Sequence, residues 1–183
     1  MKILITGAAG FIGFSFAKYL LEKGYKIIGL DNLNDYYDVN LKKKRLKQLS
    51  KSNNFKFYKV DLTEKIKIEK IFKNNKIDFI FHFAAQAGVR HSIDHPRKYI
   101  ESNILGFYNL IENVKNHNIK RLFYASSSSV YGENKNFPLN EKENISPKNI
   151  YALSKKINEE IGLIFNKYYN TKLTGLRFFT VYG

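Results

Sequence analysis

The sequence contains no cysteine, and it has only three prolines and one methionine. Without cysteine there is no disulfide and no thiolate metal site, so redox chemistry must use a cofactor, and a reducing cytoplasm is the expected location. The first residues lack the regions of a signal peptide, and no apolar run reaches the about 20 residues that a membrane-spanning helix needs. We therefore expect a soluble protein without a bound metal or a membrane partner.

Positive charge is in large excess, since 31 Lys and Arg residues against 16 Asp and Glu give a formal net charge of +15. Such an excess could attract nucleic acid, an anionic membrane or an anionic small molecule. Much of it lies in the run 42–47, for which we expect a solvated helix face, because no aromatic residues suited to base stacking interleave with it. Nucleic acid is therefore not an expected partner.

Short apolar runs alternate with segments of helical period along the whole chain, which is the pattern of βαβ units in a parallel sheet. We predict an α/β fold, a Rossmann-like doubly wound parallel sheet of about six strands with helices on both faces. No repeat, linker or low-complexity segment divides residues 1–183, which we expect to form one domain. The candidate strands span 2–6, 26–31, 55–60, 79–83, 121–126 and 173–178, and the candidate helices span 11–23, 39–49, 65–72, 96–116 and 148–169.

A glycine-rich segment, 7–13, joins the first strand to the first helix with the spacing G-x-x-G-x-x-G. Without side chains, backbone N–H groups and a helix N-terminus can approach a pyrophosphate, although three glycines would also suit a bare tight turn. Asp31 ends the second strand, where a carboxylate can bind ribose hydroxyls and repel a 2′-phosphate, or can cap a loop. The motif predicts NAD rather than NADP. Asp61, after the third strand, fits the adenine edge and a helix cap equally well.

Tyr151 and Lys155 are four residues apart and therefore share one face of a helical turn. A lysine near the phenol, together with a positively charged nicotinamide, favours the phenolate and lets a tyrosine act as a base. The same pair is common on amphipathic helices, but the glycine-rich segment upstream favours the interpretation as a catalytic pair. Four serines, 126–129, follow the fifth strand at the sheet edge where open α/β folds bind ligands.

Together, the segment 6–13, the serines before Val130-Tyr131-Gly132 and the Tyr151/Lys155 pair resemble the extended short-chain dehydrogenases/reductases, the NAD-dependent epimerase/dehydratase family. Strings at 31–38, 84–90 and 177–183 resemble the UDP-glucuronate 4-epimerase branch in particular. The likeness covers essentially the whole chain. It implies a homodimeric nucleotide-sugar 4-epimerase that uses NAD and passes through a 4-keto sugar.

The resemblance also implies roles for individual residues. Ser127 aligns with the catalytic Ser/Thr, Tyr151 with the base, and Lys155 with the residue that holds both the tyrosine and the nicotinamide ribose. Ser127, Ser128 and Thr180 could hydrogen-bond the sugar, and Arg90 could add charge there, although a basic loop residue usually faces solvent. The implied cofactor-binding residues are Gly7, Gly10, Phe11, Ile12, Gly13, Asp31, Asn32, Asp61, Leu62, Phe83, Ala84, Ala85, Asn103 and Lys155.

Residues 128 and 129 bear on the reaction, because related dehydratases carry an Asp-Glu pair there and decarboxylases a Glu. Both are serine here, which favours simple epimerisation. A UDP-glucose or UDP-N-acetylhexosamine 4-epimerase would share the named residues, whereas a non-catalytic NAD-binding module would be expected to lack the tyrosine or the lysine. The family continues beyond the string 177–183 into a small domain that grips uridine diphosphate. We therefore expect a C-terminally truncated chain that binds NAD better than it turns over sugar.

Overall fold

A six-stranded parallel sheet lies at the centre of the computed structural model, which describes residues 1–134 and 137–183. The strands lie side by side in the order β3-β2-β1-β4-β5-β6, and every pairing is parallel. The strand order reverses between β1 and β4, and open α/β sheets bind ligands in the crevice at such a point. The strands are β1 (Lys2–Thr6), β2 (Lys26–Asp31), β3 (Phe55–Lys59), β4 (Phe79–His82), β5 (Arg121–Ser127) and β6 (Lys172–Phe178).

The helices occupy the connections between strands. The region predicted as one helix over 96–116 is divided by a π-helical segment, Ile100–Leu105, and a short helix not predicted from the sequence precedes it. A π-helical segment interrupts an α-helix for only about one turn, which is too short for the pattern of apolar residues to reveal. The other predicted boundaries agree with the observed ones to within two residues. The helices are α1 (Phe11–Glu22), α2 (Val39–Leu49), α3 (Lys65–Lys73), α4 (His91–Asp94), α5 (Pro96–Tyr99), α6 (Gly106–Asn116) and α7 (Ile150–Tyr168), and a 3-10 turn spans Ser128–Tyr131.

Alternate residues of the strands build two hydrophobic cores, because successive side chains point to opposite faces of the sheet. In β1, Leu4 packs with residues of α3, α6 and α7, whereas Ile3 and Ile5 pack with residues of α1 and α2. Helices therefore cover both faces, and the predicted doubly wound sheet is confirmed. Among the helices of the described residues, none is long and apolar enough to cross a bilayer.

Arg177 joins three elements at the carboxyl edge of the sheet. From β6, its Nε and Nη2 donate to the two carboxylate oxygens of Glu159 on α7, at 3.0 and 2.8 Å. Its Nη1 donates to the phenol of Tyr131, in the 3-10 turn after β5, at 3.1 Å. The side chains of Arg177 and Glu159 are only 19% and 13% exposed. The ion pair therefore fixes the edge where the predicted serines lie.

Removing this arginine should destabilise the protein strongly. Arg177→Leu leaves the Glu159 carboxylate largely buried without its partner, so we expect the free energy of unfolding to fall by about 3 kcal/mol in urea denaturation. Arg97→Leu is the matched control, because it removes an i,i+4 pair with Glu101 whose side chains are 89% and 46% exposed. The control should lose less than about 0.5 kcal/mol. Equal losses in the two variants would contradict the assigned role of Arg177.

Candidate active site

A cavity of about 470 Å³ opens at the carboxyl edge of the sheet, beside the loops that follow β1, β2, β3 and β4. The structure brings together nearly all the residues predicted to bind a cofactor, although they come from four separate loops. Those that line the cavity are Gly7, Gly10, Phe11, Ile12, Gly13, Asp31, Asn32, Asp61, Leu62, Phe83, Ala84 and Ala85.

The loop after β1 can take its shape only because glycines occupy it. Gly7 has φ of +71°, and a Cβ there would lie 2.7 Å from the backbone nitrogen of Ala84. A Cβ at Gly13 would overlap the carbonyl oxygen of Gly7, which accepts a hydrogen bond from the Gly10 nitrogen at 2.9 Å. The N-terminus of α1, with Phe11 and Ile12, therefore lies at the cavity wall, where its free N–H groups favour an anion.

Asp31 and Asp61 each hold a loop and line the cavity at the same time. The buried Asp31 carboxylate accepts from the backbone nitrogens of Ala9 at 3.1 Å and Leu33 at 2.9 Å. Asp61 accepts from Asn32 Nδ2 at 2.7 Å and from the Thr63 nitrogen at 2.9 Å. Burial raises the pKa of Asp61, but these hydrogen bonds outweigh it, so the pKa lies below its usual value. The sequence left open whether each aspartate caps a loop or lines the cofactor site. In the structure each one does both, so the two interpretations are compatible.

Ser127, Tyr151 and Lys155 meet where β5 ends against the first turns of α7. Asn149 caps this helix, and its side chain accepts from the Ala152 nitrogen at 2.9 Å. Lys155 is 2% exposed, and its Nζ donates to the carbonyl oxygen of Ala125 in β5 at 2.8 Å. The same Nζ lies 5.9 Å from the centre of the Tyr151 ring. The predicted trio is thus assembled by one strand end and one helix.

Burial dominates the electrostatics of this trio. It raises the pKa of Tyr151, and a hydrogen bond with Ser127 lowers that pKa only in part. Burial therefore disfavours the phenolate more than the protein neighbours favour it. The combined effect of Lys155 and a positively charged nicotinamide on the tyrosine pKa stays a prediction. Burial also lowers the pKa of Lys155 to about 8. Both groups are therefore shifted toward their neutral forms.

Asn103 lies behind the cavity wall and holds it in place. Its Nδ2 donates to the carbonyl oxygen of Gln86 and to the hydroxyl of Ser154, both at 3.0 Å, and its Oδ1 accepts from the Gln86 nitrogen at 2.7 Å. The side chain is 1% exposed. Asn103 was predicted to line the ligand site, but its polar atoms connect the loop after β4 to α7 instead.

The residues predicted to contact substrate lie at the open side of the same edge. Ser128 is partly exposed and begins the 3-10 turn after β5. Thr180 is exposed and follows β6, whose Phe178 is the partner of Ser127 in the sheet register. Arg90 is exposed immediately before α4. The fold therefore brings Ser127 and Thr180 to neighbouring strand ends, while Arg90 belongs to the loop that follows β4.

The basic run in α2 is not the fully solvated face that the sequence predicted. Lys42 is 4% exposed, and its Nζ donates to the Asn34 side-chain oxygen at 2.6 Å. Arg45 is half-buried, lines the cavity, and donates to the Ala9 carbonyl oxygen at 3.3 Å. Lys43, Lys44 and Lys47 are exposed as expected. The helical spacing of 42, 45, 46 and 49 marks an inner face that could have been recognised from the sequence.

Comparison with known proteins assigns the family. Residues 4–183 match the protein family described as GDP-mannose 4,6 dehydratase. The chain belongs to this family. Among curated relatives, the protein CapI of Staphylococcus aureus is 50% identical over 184 residues, covering 100% of this chain and 55% of CapI. UDP-glucuronate 4-epimerase 4 of Arabidopsis thaliana is 45% identical over 185 residues, covering 100% of this chain and 42% of that protein. The chain thus spans about half the length of these relatives.

Solved structures of the family share this fold closely. The UDP-glucuronic acid 4-epimerase of Bacillus cereus, in complex with UDP-glucuronic acid and NAD, superposes with a TM-score of 0.93 at 32% identity. It is matched over 100% of this chain and 58% of its own. The UDP-glucose 4-epimerase of Thermotoga maritima, with UDP-glucose, has a TM-score of 0.90 at 34% identity, over 100% of this chain and 57% of its own. Close structural neighbours therefore include 4-epimerases of two different UDP-sugars.

The lowered pKa of Lys155 makes stability depend on pH. Because the pKa is about 8 in the folded protein and 10.5 ordinarily, unfolding takes up a proton between these values, and the free energy of unfolding rises as the pH rises. From about pH 7.5 to about pH 9.5, Lys155 should add on the order of 2 kcal/mol, lost in Lys155→Met. Urea denaturation at both pH values measures the difference. Lys44→Met, at an exposed position, is the control and should keep the increment. Loss of the increment in this control, as in Lys155→Met, would contradict the assignment.

Proposed function

We propose that the protein is a cytoplasmic, NAD-dependent nucleotide-sugar 4-epimerase that interconverts UDP-glucuronate and UDP-galacturonate. The observation that carries the proposal is the convergence of Ser127, Tyr151 and Lys155 beside a cavity whose wall is a glycine-rich turn and a helix N-terminus. A family relative that is 45% identical over the whole chain is a UDP-glucuronate 4-epimerase, which supports the choice of sugar.

The residues of the cavity fit a dinucleotide. The turn closed by Gly7 and Gly13 leaves space that side chains would fill, next to the N-terminus of α1, which suits a pyrophosphate. Asp31 would accept hydrogen bonds from the adenosine ribose, and Asp61 and Leu62 would lie at the adenine edge. The volume of about 470 Å³ is in the range of cofactor pockets. NAD therefore accounts for the arrangement of four separate loops.

Bound NAD would supply a hydride acceptor and donor for C4′ of the sugar. Tyr151 would take the proton of the 4′-hydroxyl as hydride leaves C4′, and would return it after the 4-keto sugar has turned in the site. Ser127 would donate a hydrogen bond to the 4′-oxygen, and Lys155 would hold the nicotinamide ribose. A tyrosine with a raised pKa needs added positive charge to act as a base, and a buried lysine within one helical turn is placed to supply it.

Two serines favour epimerisation over the dehydration that the family description names. Residues 128 and 129 bear hydroxyls where dehydration or decarboxylation would call for a carboxylate to move a second proton. Ser128 and Thr180, near neighbouring strand ends, would hydrogen-bond the sugar carboxylate, and Arg90 would add positive charge. The same three residues, Ser127, Tyr151 and Lys155, could epimerise UDP-glucose or a UDP-N-acetylhexosamine. Neither sugar has a carboxylate, so the proposed carboxylate contacts would not form.

Removal of the Tyr151 hydroxyl tests the proposal. In the complete gene product, Tyr151→Phe should lower the turnover of UDP-glucuronate by about 100-fold or more, because it removes a general base. NAD affinity should stay within about twofold, since the phenol lies outside the cofactor wall. Tyr168→Phe, 66% exposed at the far end of α7, is the matched control and should keep full turnover. Near-normal turnover by Tyr151→Phe would show the assignment to be wrong.

We also propose a homodimer formed through α7 and the π-helical segment beside it. A hydrogen bond between Asn103 and Ser154 joins these two elements. Each of the two elements carries exposed apolar side chains. Ile100 and Leu105 of the π-helical segment are 46% and 47% exposed, and Leu163 and Ile164 of α7 are 65% and 55% exposed. Large apolar side chains exposed on two adjoining elements favour a protein interface.

Light scattering at tens of micromolar tests the dimer. We expect the mass of two chains for the unaltered protein and of one chain for Leu163→Glu, because a buried unpaired charge at an interface costs several kcal/mol. Ile66→Glu is the matched control, since Ile66 is 68% exposed on α3, away from the proposed surface. A monomeric unaltered protein, or a dimer that survives Leu163→Glu, would contradict the proposal.

A further inference from the structure

Two consecutive tyrosines in the loop between β2 and α2 reach two different loops at the cavity. Tyr36 and Tyr37 both line the cavity, and they are 41% and 36% exposed, so each presents one side to the cavity and another to solvent. We refer to residues 36 and 37 as the tyrosine strap. The proposed reaction uses neither of them.

Tyr37 fastens the strap to the glycine-rich loop after β1. Its hydroxyl donates to the carbonyl oxygen of Ala9 at 3.4 Å. Arg45 Nη1 donates to the hydroxyl of Tyr37 at 3.2 Å and to the same Ala9 oxygen at 3.3 Å. On the other side, Lys42 Nζ lies 4.6 Å from the centre of the Tyr37 ring. This end of the strap is therefore held by hydrogen bonds and by two cations of α2.

Tyr36 reaches the loop after β4. Its hydroxyl occupies the space that a Cβ would take at Gly88, whose φ is +99°. The ring of Tyr36 meets the ring of His91 edge to face, with centroids 5.0 Å apart. Only a glycine at position 88 allows this approach, since a side chain there would displace the tyrosine.

The loop that Tyr36 meets is itself fixed to the catalytic side of the cavity. The Tyr99 hydroxyl lies 2.6 Å from the carbonyl oxygen of Ala87 and 2.7 Å from that of Gly88. The Tyr99 ring is fully buried and packs edge to face against Tyr151, with centroids 6.1 Å apart. The strap therefore spans from the pyrophosphate side of the cavity to a loop that is coupled to the proposed base.

We propose that the tyrosine strap closes over bound NAD and limits the rate at which the cofactor leaves. The inference rests on the proposed function and extends it to cofactor retention. The strap connects the loops after β1 and β4, so it crosses the crevice between the two strands at which the strand order reverses. Since an epimerase regenerates its oxidised cofactor in every cycle, slow release costs no turnover and keeps the enzyme loaded.

The test is the rate of NAD dissociation from the 183-residue chain. The protein is loaded with NAD, freed of excess cofactor, and diluted into an enzymatic assay that consumes each NAD molecule released. Tyr36→Ala should raise the dissociation rate constant about tenfold, because it removes the aromatic contact with His91 and the approach to Gly88. Tyr36→Phe keeps the ring and should give a smaller increase. Tyr19→Ala, 54% exposed on α1, is the control and should not change the rate.

Circular dichroism and urea denaturation verify that the variants remain folded, and Tyr36→Phe carries the test if Tyr36→Ala does not fold. A dissociation rate unchanged in the folded Tyr36 variants would overturn the proposal. So would weaker binding that arises only from slower association. If the unaltered chain binds no NAD, the proposed function itself fails. If the chain binds NAD but the folded Tyr36 variants release it at the unaltered rate, only the strap proposal fails.

Discussion

The parallel pairing of β1 with β4 is the constraint on which the rest of the structure depends. Its register, from Ile3 opposite Phe79 to Thr6 opposite His82, makes both strands end at the same level. The loops that follow then meet so closely that a side chain at Gly7 would strike the backbone of Ala84. The cavity, the glycine turn and the strap all depend on that close approach.

Features that depend only on a short segment of the chain could be predicted from the sequence. Parallel strands, the glycine turn and the four-residue spacing of Tyr151 and Lys155 are properties of short segments, and the fold brings their ends to one edge. The role of Asn103 could not be predicted in this way, because it depends on Gln86 and Ser154, which are distant from it in the chain. Tyr36 likewise acquires its role only through Gly88.

Burial sets the chemistry of the proposed base. It raises the pKa of Tyr151 and lowers that of Lys155 to about 8, so neither charged form is favoured by the protein surroundings alone. A positive charge next to the phenol favours the phenolate, and the nicotinamide ring of oxidised NAD carries one. The proposed enzyme would therefore have its base activated by the same cofactor that the strap retains. Retention and proton transfer would then depend on one bound molecule.

The most direct measurement is proton NMR of the sugar anomeric signals when the complete gene product is given UDP-glucuronate and UDP-glucose in separate samples. We predict that the UDP-glucuronate sample acquires the signals of its 4-epimer and that the UDP-glucose sample stays unchanged. Conversion of UDP-glucose alone would keep the mechanism and overturn the proposed role of the carboxylate contacts. If the NAD-loaded protein converted neither sugar, the result would contradict the proposed 4-epimerase activity on these sugars.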